Sequence, residues 1–216
     1  MRKSILKLSI LSIPLFISLN GCGDNTSDNT NTYDLRMVNK AVGISSLLKG
    51  SYSDGTKGSI LLVKTDAGND NINGILVNKI KSDTSITLDN GYTSQSTTID
   101  FVDENGCIIA FYEDSTYCTL ITEREILPID AKIGTNSKGT SIYSCDDDTD
   151  RTVSWSLVDA GNSNANYIFK SVISGVAQSE SISTITITPQ NKIIHYKVYT
   201  DVIAKGVNAT FEGDVN

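Results

Sequence analysis

Ile99-Asp100-Phe101-Val102-Asp103-Glu104-Asn105-Gly106-Cys107-Ile108-Ile109-Ala110-Phe111 is the stretch on which the fold turns. Two runs rich in β-branched and aromatic side chains flank a short polar segment, the pattern of paired strands. Asn105-Gly106 offers the positive φ angles of a two-residue type I′ turn, so the stretch reads as a β-hairpin. A second turn at Glu113-Asp114-Ser115 sends residues 116–122 back as a third strand. Toward the N-terminus, residues 59–64 form an apolar run, and residues 74–81 and 84–88 alternate apolar with polar. Asp54-Gly55 and Asn90-Gly91 are turn dipeptides that punctuate this half. Residues 34–48 suit a helix or a strand, with Ala41-Val42-Gly43-Ile44-Ser45 leaning away from helix. Toward the C-terminus, Glu123-Arg124-Glu125-Ile126-Leu127-Pro128 is a connector, because Pro128 cannot donate to a strand ladder. Residues 140–144, 152–158, 167–173, 183–188, 193–200 and 207–211 then read as strands. In 152–158, Val153, Trp155 and Leu157 alternate with Thr152, Ser154 and Ser156, which turns Trp155 inward. The expected fold is therefore all-β: an antiparallel β-sandwich, or a meander forming a partly open barrel. Residues 33–127 and 128–216 read as two β regions, and 33–216 also reads as one continuous domain.

The first residues are of another kind. Arg2, Lys3 and Lys7 lead into an apolar run over residues 8–19, the build of a secretory signal peptide. The run is short for a bilayer core of about 30 Å, which takes about 20 apolar residues. It ends at Leu19-Asn20-Gly21-Cys22, which resembles the lipobox of bacterial lipoproteins, with Asn20 larger than the small residue usual there. The resemblance implies cleavage after residue 21, a diacylglycerol on the Cys22 thiol, and a fatty acyl chain such as palmitate on its new amine. It also implies that the membrane is a partner through this anchor. Gly23 rather than Asp follows Cys22, which places the expected protein at the outer membrane, the periplasmic face of the inner membrane being the alternative. Residues 23–32 carry no hydrophobe and form, with Cys22, a disordered polar tether, about 2 nm in reach. Leu127-Pro128-Ile129-Asp130-Ala131-Lys132-Ile133-Gly134, followed by Trp155-Ser156-Leu157, resembles uncharacterised proteobacterial lipoproteins over about the last 90 residues. That resemblance brings no activity with it.

Charge excludes some partners. The chain carries a formal net charge of −7; removing residues 1–21 takes away three positive charges and no acids, leaving −10. An acidic body does not suit nucleic acid. With Cys22 acylated, Cys107, Cys118 and Cys145 remain, and an oxidising compartment predicts one disulfide and one free thiol. A tight hairpin at 111–116 would set Cys107 opposite Thr122, beyond the roughly 7 Å Cα separation that a bridge to Cys118 tolerates. Cys145 is then the partner of either, while a looser turn reopens the Cys107–Cys118 pairing. No Cys-x-x-Cys spacing points to redox or zinc chemistry.

Asp146-Asp147-Asp148-Thr149-Asp150 is the densest charge cluster, and Asp146, Asp148 and Asp150 imitate the first half of a calcium loop. Arg151 stands where such a loop needs Gly, and Leu157 where it needs Glu, so the cluster reads as a solvated hairpin tip; an irregular calcium site with another loop is the alternative. Gly68-Asn69-Asp70-Asn71-Ile72 looks like one turn of a calcium-binding repeat but stands alone, so it reads as an Asx-rich loop. His195 is the only histidine and falls inside a strand, with no Gly-x-Ser-x-Gly elbow in the chain. No catalytic residue and no cofactor beyond the covalent lipid is expected. The expected function is a non-catalytic lipoprotein that binds an envelope protein or glycan, or serves as a structural component. The first alternative is a lipid or small-ligand carrier with a β cup, marked by an interior cavity its own side chains do not fill. The second is a hydrolase using two inward-facing carboxylates.

Overall fold

The computed structural model describes residues 30–174 and 178–216. The expected signal peptide, the Cys22 anchor and most of the tether lie outside the described residues. The described residues begin with a capped turn of helix. The Asp34 carboxylate accepts hydrogen bonds from the N–H groups of Arg36 and Met37, and α1 (Leu35–Asn39) follows. Gly43, at φ 71°, then redirects the chain into β1 (Ile44–Tyr52). The ambiguous stretch is thus both things in succession: its first half helix, its second half strand.

The rest is strand and turn: β2 (Lys57–Ile72), β3 (Ile75–Leu88), β4 (Thr93–Val102), β5 (Ile108–Glu113) and β6 (Thr116–Leu120). After a long connector come β7 (Ser141–Cys145), β8 (Asp150–Gly161), β9 (Asn164–Ile173), β10 (Ser179–Ile187), β11 (Ile193–Val202) and β12 (Val207–Asp214). Each strand pairs antiparallel with its neighbours in sequence, and β1 pairs with β12, from Lys49↔Glu212 to Tyr52↔Ala209. The meander is therefore a closed barrel of twelve strands. Strands from both sides of Pro128 make up its wall.

Three local expectations change. The hairpin at 99–111 is not of type I′: only Gly106 takes a positive φ, and its N–H donates to the Asp103 carbonyl. The Asp103 carboxylate accepts from the N–H groups of Asn105 and Cys107 and so holds a longer turn. Residues 74–81 and 84–88 are one strand, β3, because the polar run Ser82-Asp83-Thr84 continues the ladder to β2 and β4. Residues 68–72 are not a loop. They belong to the far end of β2, where a bulge between Asp66 and Asn69 absorbs Gly68 at φ 84°.

One end of the barrel is plugged. Tyr33 pairs with Ala131 of the connector, the Leu35 N–H donates to the Pro128 carbonyl, and Arg36 Nε donates to the Leu127 carbonyl. Asn39 Nδ2 reaches Gly106 in the β4–β5 turn, Tyr33 Oη reaches Ser163 in the β8–β9 turn, and Asn191 in the β10–β11 turn accepts from the Asp34 N–H. Leu35, Val38 and Leu127 are buried beneath these bonds with Trp155 and Leu157, each worth about 1.5–3 kcal/mol as a fully buried apolar side chain. The outer wall carries ion pairs as well as exposed apolar side chains, among them the cross-strand neighbours Leu47 on β1 and Leu61 on β2. Lys81 pairs with Asp83 at 2.8 Å along β3, and Lys197 on β11 meets Glu212 on β12 at 3.3 Å.

Candidate functional site

Strand alternation sorts the side chains into an outer and an inner set, and the inner set does not fill the barrel. A cavity of about 240 Å³ lies inside, with Val38 and Asn39 of α1 against it. Two features leave it open. Eight strands enclose a space that side chains can fill, and twelve enclose more. In addition, the inward positions include Ser82, Thr84, Ser96, Thr98, Ser171 and Ser183, all small.

The lumen is lined by apolar and charged side chains together. Ile60 and Leu62 on β2, Ile86 on β3, Phe169 on β9, Ile185 on β10 and Val198 on β11 supply the apolar part. Lys64 on β2, Asp100 on β4 and Arg151 on β8 line the same cavity. Arg151 donates from Nη1 to the Glu113 carboxylate on β5, and both side chains are buried. The Arg151 guanidinium also lies over the Phe111 ring, 5.2 Å from its centroid, while its buried Nε has no hydrogen-bond partner. Asp100 keeps a small exposed surface, and that surface opens onto the lumen. Burial pushes its carboxyl pKa up, Lys64 pulls it down, and Glu113 raises it further. Among the described residues Lys64 forms no ion pair within 4.0 Å.

Around this cluster the wall is stiff. Tyr143 Oη donates to the Ile108 carbonyl at 2.6 Å, and burial pushes its own pKa well up. Cys118 and Cys145 are direct cross-strand partners on β6 and β7, 4.0 Å apart at Cα, and form the disulfide. Of the pairings left open by the sequence, this is the one the register allows. In the β5–β6 hairpin Phe111 faces Cys118, which leaves Cys107 several residues out of reach. Cys107 is free and buried in a small cluster with Val77 and Ile109. Burial, with the Asp103 carboxylate beside it, pushes its thiol up to about 11, so it stays protonated at neutral pH.

The other candidates lie apart from the lumen. Asp146, Asp148 and Asp150 sit at the β7–β8 hairpin, where the Asp146 carboxylate accepts from the Tyr117 N–H and Asp148 takes φ 60°. Among the described residues no group of three or more His, Cys, Asp or Glu is placed to hold a metal ion. His195 is on the outer wall, its Nδ1 2.8 Å from Asp214 Oδ1 across the β11–β12 ladder. The sequence reading passed over Lys64, Asp100, Glu113 and Arg151. A signal was there: Lys64 is in phase with Ile60 and Leu62, Glu113 with Phe111, and Arg151 with Val153, Trp155 and Leu157. A charge in the apolar phase of a strand points inward. The chain matches no protein-family model, no curated protein and no solved structure.

Proposed function

We propose that the protein is a non-catalytic carrier of the bacterial envelope, holding one small, partly apolar ligand in its barrel and tethered to the outer membrane through Cys22. The observation that carries this reading is the 240 Å³ cavity in a barrel whose inner face combines apolar side chains with charged ones. Ligand pockets have that composition: mostly apolar, with a few polar groups that fix orientation. The lipobox resemblance at residues 19–22 supports the location, and the ion pairs Lys81–Asp83 and Lys197–Glu212 on the outer wall fit a body held in water beside the membrane.

The test is native mass spectrometry of the protein isolated from cell envelopes. A single small molecule bound at one per chain, and lost from Ser96→Phe, is the expected result, because Phe at that inward position on β4 occupies the lumen. A bound mass that survives Ser96→Phe in a folded variant overturns the lumen as its place. A molecule recovered in cleaved form moves the reading to a hydrolase working with Asp100 and Glu113. Capture of an envelope protein with an empty lumen favours the interaction module.

A further inference from the structure

Lys64, Asp100 and Arg151 in the lumen, and Glu113 beside it, are not equivalent, and their differences specify the ligand. Arg151 and Glu113 hold each other, with Phe111 under the guanidinium. Lys64 and Asp100 are left facing the cavity without a direct ion pair. We infer that the lumen selects a small organic monoanion, a carboxylate whose head sits on the Lys64 ammonium beside Asp100 and whose apolar body lies against Leu62, Phe169 and Val198. This rests on the carrier reading and names the ligand class within it.

Three observations support the choice of sign. Lys64 lines the cavity and has no carboxylate within 4.0 Å among the described residues, which leaves its charge open to an anionic ligand. Burial favours the neutral form of Asp100, and a neutral carboxyl beside a carboxylate donates a hydrogen bond to it. A cationic ligand would meet Lys64 as a like charge, which costs affinity. Size narrows the class further. A cavity of about 240 Å³ has room for a small organic acid. A benzoate or a short-chain acid fits.

The charge state of Asp100 links binding to pH. The titratable and charged groups facing it are Lys64 from β2, Glu113 from β5, Tyr143 from β7 and, through Glu113, Arg151 from β8. A bound anion favours protonated Asp100, so affinity weakens as pH rises through the raised pKa of that carboxyl.

The experiment titrates the purified protein with 4-fluorobenzoate, 4-fluorobenzyl alcohol and 4-fluorobenzylammonium, followed by fluorine NMR. The expected order is benzoate at least tenfold tighter than the alcohol, with the ammonium weakest. Lys64→Met should bring benzoate down to the level of the alcohol while leaving the alcohol unchanged, which also reports that the variant is folded. Asp100→Asn should retain benzoate and lose the weakening at higher pH. Equal binding of benzoate and alcohol, or benzoate binding untouched by Lys64→Met, overturns the inference and leaves the carrier standing. Absence of binding by all three removes the carrier reading as well.

Discussion

Arg151 and Glu113 face each other inside the wall from strands three places apart, both almost fully buried, and Arg151 keeps one N–H unpaired. A buried ion pair is stabilising mainly in the sense that half of it is intolerable. Arg151→Met leaves the Glu113 carboxylate buried without its cation and is expected to cost about 3–5 kcal/mol in chemical denaturation. Adding Glu113→Gln should recover most of that loss; a double variant as weak as the single one would mean that Arg151 acts through Phe111 and packing instead. Asp100 gives a pH signature of opposite character. Its pKa is raised in the folded state from the usual 3.8, so the protein favours its protonated form. The stability it contributes is full below that unfolded value and is lost as pH rises through the folded one. Asp100→Asn should therefore gain on the wild type from about pH 4 upward and show no advantage below. A pH-independent difference between the two melting curves would reject this account. These residues were hidden from motif reading because they come from four separate strands, and no spacing rule unites positions 64, 100, 113 and 151.

Elements were far easier to read than their joining. Alternation located most strands of the second half within a few residues, since Val153, Trp155 and Leu157 write their inward phase directly into the sequence. The short α1 escaped assignment because five residues carry almost no periodicity, and only the Asp34 cap betrays it. The β1–β12 seam was illegible for another reason: its geometry depends on glycines with no hydrophobic signature. An added Cβ at Gly50 would run into the Thr210 carbonyl and the Phe211 Cα, and one at Gly213 into the Leu47 carbonyl. The two ends of the meander approach this closely only because those side chains are absent. Gly50→Ala or Gly213→Ala should cost about 3 kcal/mol or more, since backbone cannot step aside as a side chain does. Gly139→Ala, with nothing within 4 Å of its added carbon, is the control and should be near neutral. Equal stability of the three variants would remove the seam's special status.

At the scale of the molecule, strand count and closure depend on registers summed around the ring, which local patterns do not encode; hence sandwich and partly open barrel stood level in the sequence. On the reading that Cys22 carries lipid, Cys22→Ser should move the protein from the membrane fraction to the soluble one. The intact mass of the wild type should exceed that of its processed chain by a diacylglyceryl and one acyl group. Membrane association unchanged by the substitution would remove the anchor. The chain enters the barrel at Tyr33, on the plugged end, and the 53–56 and 89–92 turns lie at the opposite rim. Closure by the first and last strands also sets the order of events during folding. Until β12 arrives, β1 keeps an open edge of unpaired N–H and C=O groups, and so does whichever strand ends the growing sheet. The slow, long-range step thus comes last, and during it the half-made sheet is most exposed to pairing with another copy of itself.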